Sequence, residues 1–160
     1  MSRSVDPDSL GFVITDLGRL LRAAVERKIA ERGLDVTPGE ARALVHAAAL
    51  GGGRQTLLAE RLGVEPMTVS GYIDRLEQRG LLTRRADPND GRAKIVEVTD
   101  AADQLIDEAR VVSRSVLDDI MSDIAEEERD AFERVIRSMR GRLQNRLGCG
   151  KPGRSEGEPS

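Results

Sequence analysis

The side chains able to do chemistry in this 160-residue chain are arginines, short hydroxyls and one histidine. Residues 54–99 hold Arg54, Arg61, Arg75, Arg79, Arg84, Arg85, Arg92 and Lys94 against seven acidic residues, the only stretch in which bases outnumber acids. Residues 1–53 balance at seven of each, residues 100–147 carry eight bases and twelve acids, and the chain is net −3. A guanidinium grips phosphate or guanine with two parallel hydrogen bonds. A local arginine surplus in an acidic chain therefore points to one surface that faces a polyanion while the rest repels it. Taken singly, each arginine reads equally well as a reflection of genome composition. Enzyme chemistry has little to work with: no nucleophile–base pair, no phosphate-cradling glycine loop, and His46 as the sole imidazole. Cys149 alone forms no intrachain disulfide and makes no zinc cluster with His46. The expectation is a non-enzyme with no cofactor and no metal.

The elements that must position these residues read as mainly α with a small β-hairpin. Apolar residues at Val13, Leu17, Leu20, Leu21, Ala24, Val25 and Ile29 fall on one helical face from Ser9 to about Arg32, and Gly33 stops it. Thr37-Pro38-Gly39-Glu40 is a capping box opening a second helix, which ends at Gly51-Gly52-Gly53. Arg54–Leu62 and Glu65–Arg79 are two short helices around Gly63. Leu81–Arg85 and Lys94–Val98 are strand-like and flank the turn-rich Asp87-Pro88-Asn89-Asp90-Gly91. Thr99 or Asp100 caps a long helix with the stripe Leu105, Ile106, Ala109, Val112, Val116, Leu117, Ile120, Ile124. A last helix starts near Ala125, with the stripe Phe132, Val135, Ile136, Met139, Leu143, Leu147, and ends at Gly148. No apolar run reaches membrane-spanning length and the N-terminus has no secretory h-region, so a cytoplasmic protein is expected.

Residues 55–76 carry the most information. A helix-turn-helix needs a small residue where its helices cross, a turn residue tolerant of positive φ, and apolar pins on both sides. Ala59, Gly63, and Leu58, Leu62, Val64, Val69 and Tyr72 fill those places. An ordinary helix pair with a glycine turn is the alternative, but the basic hairpin that follows makes the unit a winged helix. Such a unit sets one helix in the major groove and the wing against backbone or minor groove. Thr68, Ser70 and Gly71 share the outward face, because Val69, Tyr72, Ile73 and Leu76 take the inward one. Arg75 follows one turn later as a phosphate clamp, or else as a surface partner of Asp74 or Gln78. Gln55 and Thr56 open the first motif helix, whose amides suit phosphate. Arg84 and Arg85 point to opposite faces of a strand, so one of them faces DNA; Arg84 and Lys94 join the candidate contacts.

Pro66–Arg84 and Asp87–Lys94, closing on Val98-Thr99, resemble the MarR family of bacterial transcription regulators, with helix order similar over about residues 10–147. The resemblance implies a homodimer on a pseudo-palindromic double-stranded DNA operator, usually as a repressor. It also implies a single domain, 9–147. Within it, 36–99 is the DNA-binding lobe, 9–33 and 100–147 are dimerisation helices, and 1–8 and 148–160 are flexible tails. It makes Arg92 the wing-tip contact, with Asp90 orienting its guanidinium or else only making the turn. It further implies a small aromatic or phenolic effector, with Arg19, Arg22 and His46 as candidate contacts, although His46 also reads as a half-buried helix residue. Cys149 has no matching sensor position. The sequence departs from the family pattern at Gly71, where Arg is frequent, at Gly91 within the wing's Asp-Arg-Arg, and at Ala102, where Gly is common. A winged helix used only for protein docking is the competing class.

Overall fold

The computed structural model describes residues 6–148. Cys149 and most of the two tails lie outside them. Two compact units divide the chain, residues 1–117 and 118–160.

The first unit opens with α1 (Leu10–Arg32), closed by Gly33 in the left-handed conformation. Then come α2 (Pro38–Leu50), β1 (Gly53–Arg54), α3 (Gln55–Leu62), α4 (Pro66–Gln78), β2 (Leu82–Asp87) and β3 (Asp90–Val98). The strands form an antiparallel sheet of order β1-β3-β2, with Arg84 opposite Val96 and Gly53 also opposite Val96 across the other edge. The capping box forms as its residue types require. Thr37 Oγ1 accepts from the Glu40 amide at 3.3 Å, and Glu40 Oε2 accepts from the Thr37 amide at 3.0 Å.

Leu44, Leu58, Val69, Ile73, Leu76, Leu82 and Val96 are the fully buried centre of one aliphatic core. Ile106, Ala109 and Val112 of α5 (Asp103–Ile120) close it. Burial of these aliphatic side chains is the main force holding α3, α4 and the wing root together, at about 1.5–3 kcal/mol each. Gly63 (φ 62°) makes the α3–α4 turn in a conformation that costs side-chain-bearing residues about 1–2 kcal/mol.

Three expectations are corrected. Arg54 is not helical: with Gly53 it pairs with β3 as a third strand that has too few residues to show a period. Thr99 caps no helix with its side chain. Its hydroxyl donates to the Gly80 carbonyl at 2.6 Å, and a 3-10 turn (Asp100–Ala102) leads into α5. α5 ends at Ile120, so Ile124 falls outside the stripe. Of the α1 face only Ile29 is buried.

The second unit holds α6 (Glu126–Arg146), whose first turn carries Glu126, Glu127 and Glu128 at the positive helix end. No α6 residue is buried. Phe132, Val135, Ile136, Met139 and Leu143 stay exposed, as do Leu10, Phe12, Val13, Ile14, Leu17 and Leu20 of α1 in the first unit.

Candidate nucleic-acid interface

α4 buries Val69, Ile73 and Leu76 and turns the intervening residues outward. Thr68 and Arg75 are exposed, and Ser70 and Gly71 are half-buried. A Cβ built on Gly71 would meet only Arg75 Nη1, at 3.5 Å, so position 71 opens outward beside that guanidinium. Met67 was not singled out from the sequence, yet at 83% exposure it is the most exposed large apolar side chain described. The missed signal is its place in the first turn of α4, next to Pro66 at the helix start. Gln55 and Thr56 open α3, half-buried and exposed respectively.

Most of the arginine surplus is neutralised within the fold. Arg75 Nε donates to Glu40, its guanidinium lies 5.6 Å from the Tyr72 ring centroid, and neither Asp74 nor Gln78 is its partner. Glu40 is only 4% exposed. Burial pushes its carboxyl up, but the bonds from Arg75 and Thr37 outweigh this and hold it below the ordinary carboxylate range. Tyr72 packs so closely on α2 that a Cβ at Gly39 would lie 2.6 Å from its Cζ. Arg79 donates to the Asp35 carboxylate and carbonyl.

Arg84 is held by Asp74 and Glu77, and Arg85 by Glu97 at 2.8 Å. The Glu77 bond, then the Asp74 bond, raises the Arg84 pKa, while Arg84 lowers that of Glu77. Arg54 Nε donates to Asp87 Oδ2 at 2.7 Å, tying β1 to the wing turn. The Asn89 amide, and then Arg54, hold the Asp87 carboxyl low. Among the described residues Arg92, Lys94 and Arg61 of α3 have no ion-pair partner, so two of the three unpaired bases of residues 54–99 sit on the wing. Asp90 Oδ1 accepts the Arg92 backbone amide at 3.1 Å, so it shapes the wing backbone and not the guanidinium.

None of the effector candidates Arg19, Arg22 and His46 lines the open cleft found among the described residues. Arg19 pairs with Asp16 at 2.7 Å on the exposed side of α1, and Arg22 is exposed. His46 is half-buried on α2. Burial first, then Arg42, Arg61 and Arg22, holds its imidazole below the usual value. That cleft, of about 600 Å³, is lined by Asp35, Thr37, Glu40, Arg75 and Arg79 among others. Among the described residues no cluster of His, Cys, Asp and Glu is set to hold a metal, and no helix is long and apolar enough to cross a membrane.

Residues 36–94, which hold most of this arrangement, match the sequence model of the MarR family. Over a longer span the structure is similar to the crystal structure of a MarR-family transcriptional regulator from Rhodococcus sp. RHA1. The two are 26% identical over 89% of this chain and 94% of that one, with a TM-score of 0.65. Residues 36–94, a little over a third of the chain, are of the MarR type. The chain is likewise similar to CouR from Rhodococcus jostii RHA1, solved with p-coumaroyl-CoA bound: 28% identity, coverage of 89% and 94%, TM-score 0.63. A curated relative, the HTH-type transcriptional regulator YdgJ of Bacillus subtilis, is 24% identical over 91 residues. That match spans 57% of this chain and about half the relative's length, 56%.

Proposed function

We propose that this chain is a DNA-binding transcriptional regulator, a repressor that sits as a homodimer on a pseudo-palindromic operator. The observation that carries the reading is the junction of two surfaces. The outward face of α4 presents Met67, Thr68, Ser70 and Gly71, and beside it the wing carries Arg92 and Lys94 without counter-charges. In this reading Thr68 and Ser70 offer hydroxyls to base edges and Met67 offers an apolar tip to a thymine methyl. Arg92, Lys94 and the α3 start at Gln55 and Thr56 take phosphates, with Arg75 exchanging Glu40 for a phosphate. Asp90 acts through the wing backbone. Residues 36–99 are the DNA-reading lobe.

The exposed apolar faces of α1 and of α6 support dimerisation through 9–33 and 100–147, since a helix that leaves its apolar stripe in water is short of a partner. A small aromatic acid or its thioester, of the kind CouR holds, is the proposed effector, received near Arg19, Arg22 and His46. The role places the protein in the cytoplasm with the chromosome. Footprinting on the DNA upstream of its own gene tests the reading. It predicts two protected half-sites on one face of the duplex that disappear when Arg92 and Lys94 are both replaced by Ala. Absence of any protected segment at micromolar protein overturns it.

A further inference from the structure

We propose that Arg84 is not a DNA contact but a positioning residue that latches the wing to the recognition helix α4. The inference rests on the reading that α4 and the wing bind DNA together. Asp74 and Glu77 lie three residues apart on α4, so their carboxylates share one face. Arg84, third residue of β2, reaches both. Its Nη1 lies 2.8 Å from Asp74 Oδ1, its Nε donates to Glu77 Oε2 at 2.9 Å, and its Nη2 bonds the same oxygen. Glu77 Oε1 also accepts the Arg84 backbone amide at 3.1 Å, so one carboxylate grips both the strand and its side chain.

The arrangement leaves Arg84 little to give a phosphate. All three guanidinium nitrogens have carboxylate partners, the side chain is 28% exposed, and the triad as a unit carries one negative charge. Arg92 and Lys94 have no such partners. The latch does what a DNA contact at this position does not. It ties the strand that carries the wing to the last turn of the helix that reads bases, so the spacing of the two contacts on the duplex is set before binding. Preorganisation of this kind is worth affinity only for the duplex that matches the fixed spacing.

The experiment measures affinity for the protected upstream duplex and for a scrambled duplex, across salt, with dimer and fold checked by sedimentation and circular dichroism. Glu77→Gln removes a negative charge near DNA, so pure electrostatics tightens binding to both duplexes. The latch instead predicts about a tenfold loss on the upstream duplex, from weakening one charged hydrogen-bonded pair, with no loss on the scrambled one. Arg84→Glu is weaker still on the upstream duplex. Adding Glu77→Arg re-forms the pair in reverse and recovers at least threefold. Arg84→Lys, which keeps the charge and is the safer fold, retains part of the preference and the full salt slope. Tightening of both duplexes by Glu77→Gln overturns the inference. So does a fall in salt slope of about 0.9 per wing in Arg84→Ala, the signature of a lost phosphate contact. A wild-type protein with no preference between the duplexes overturns the DNA-reading proposal itself, and the latch with it.

Discussion

Glu40 is the residue through which stability of the first unit is best probed. It is 4% exposed and carries two duties: Oε2 accepts the Thr37 amide at the start of α2, and Oε1 accepts Arg75 from α4. Glu40→Ala removes both. Loss of the reciprocal cap costs about 1 kcal/mol. Loss of the Arg75 bond adds less than about 1 kcal/mol, because Arg75 is 54% exposed and rehydrates when released. Truncating the buried side chain stem adds about 0.8 kcal/mol per methylene. The total is about 2–3 kcal/mol, or a fall in Tm of roughly 5–10 °C for a chain this long. Glu40→Gln keeps one acceptor and turns an amide NH₂ toward a donor, so about 1 kcal/mol is expected. The folded carboxyl lies below its ordinary value, so its contribution is full at neutral pH and is lost as pH falls below the usual glutamate range near ~4.3. Urea melts at pH 7 and pH 3.5 read both effects, and the gap between wild type and Glu40→Gln narrows at the lower pH. A Glu40→Ala protein within about 0.5 kcal/mol of wild type at pH 7, an ordinary surface effect, refutes the reasoning.

Three further outcomes follow from the same contacts. Arg92→Ala leaves the melting curve unchanged and lowers the salt slope of duplex binding by about 0.9 per wing; an unchanged slope removes Arg92 from the interface. Gly71→Arg places a second guanidinium beside Arg75 on the open face of α4, so non-specific affinity rises and a randomised-duplex selection shifts toward a reachable guanine. Identical preferred sequences for both proteins would place position 71 away from the groove. Burial and three arginines depress the His46 imidazole, so the folded chain resists protonation and stability falls as pH drops below ~6.5. His46→Gln flattens that fall between pH 7 and 5 in urea melts, and equal slopes for the two proteins would contradict it.

What the sequence made legible was local. The capping box at Thr37–Glu40, the glycine stops at Gly33 and Gly63, and the apolar spacing of α4 depend on neighbours within a few residues, and each appears where its residue types require. What stayed hidden depended on distant partners. The two-residue β1 exists only because β3, some forty residues on, offers an edge. Arg75 finds Glu40 across 35 residues and Arg54 finds Asp87 across 33, so a basic stretch that reads as free charge is largely paired inside the fold. Sequence spacing places Arg84 on a strand face but gives no sign of Asp74 and Glu77 waiting on the helix beneath it. Asp90 shows the same limit at short range: spacing brings it to Arg92, and only geometry distinguishes the backbone amide from the guanidinium.

The central claim is that two copies of α4 and its wing read one duplex, and a randomised-duplex selection with the wild-type protein tests it most directly. The result expected is an enriched inverted repeat whose half-sites lie about one helical turn, ~10–10.5 base pairs, apart or a multiple of it, bound as one dimer per duplex. A selection that enriches no sequence, or that enriches a single unrepeated site bound by one copy, contradicts it.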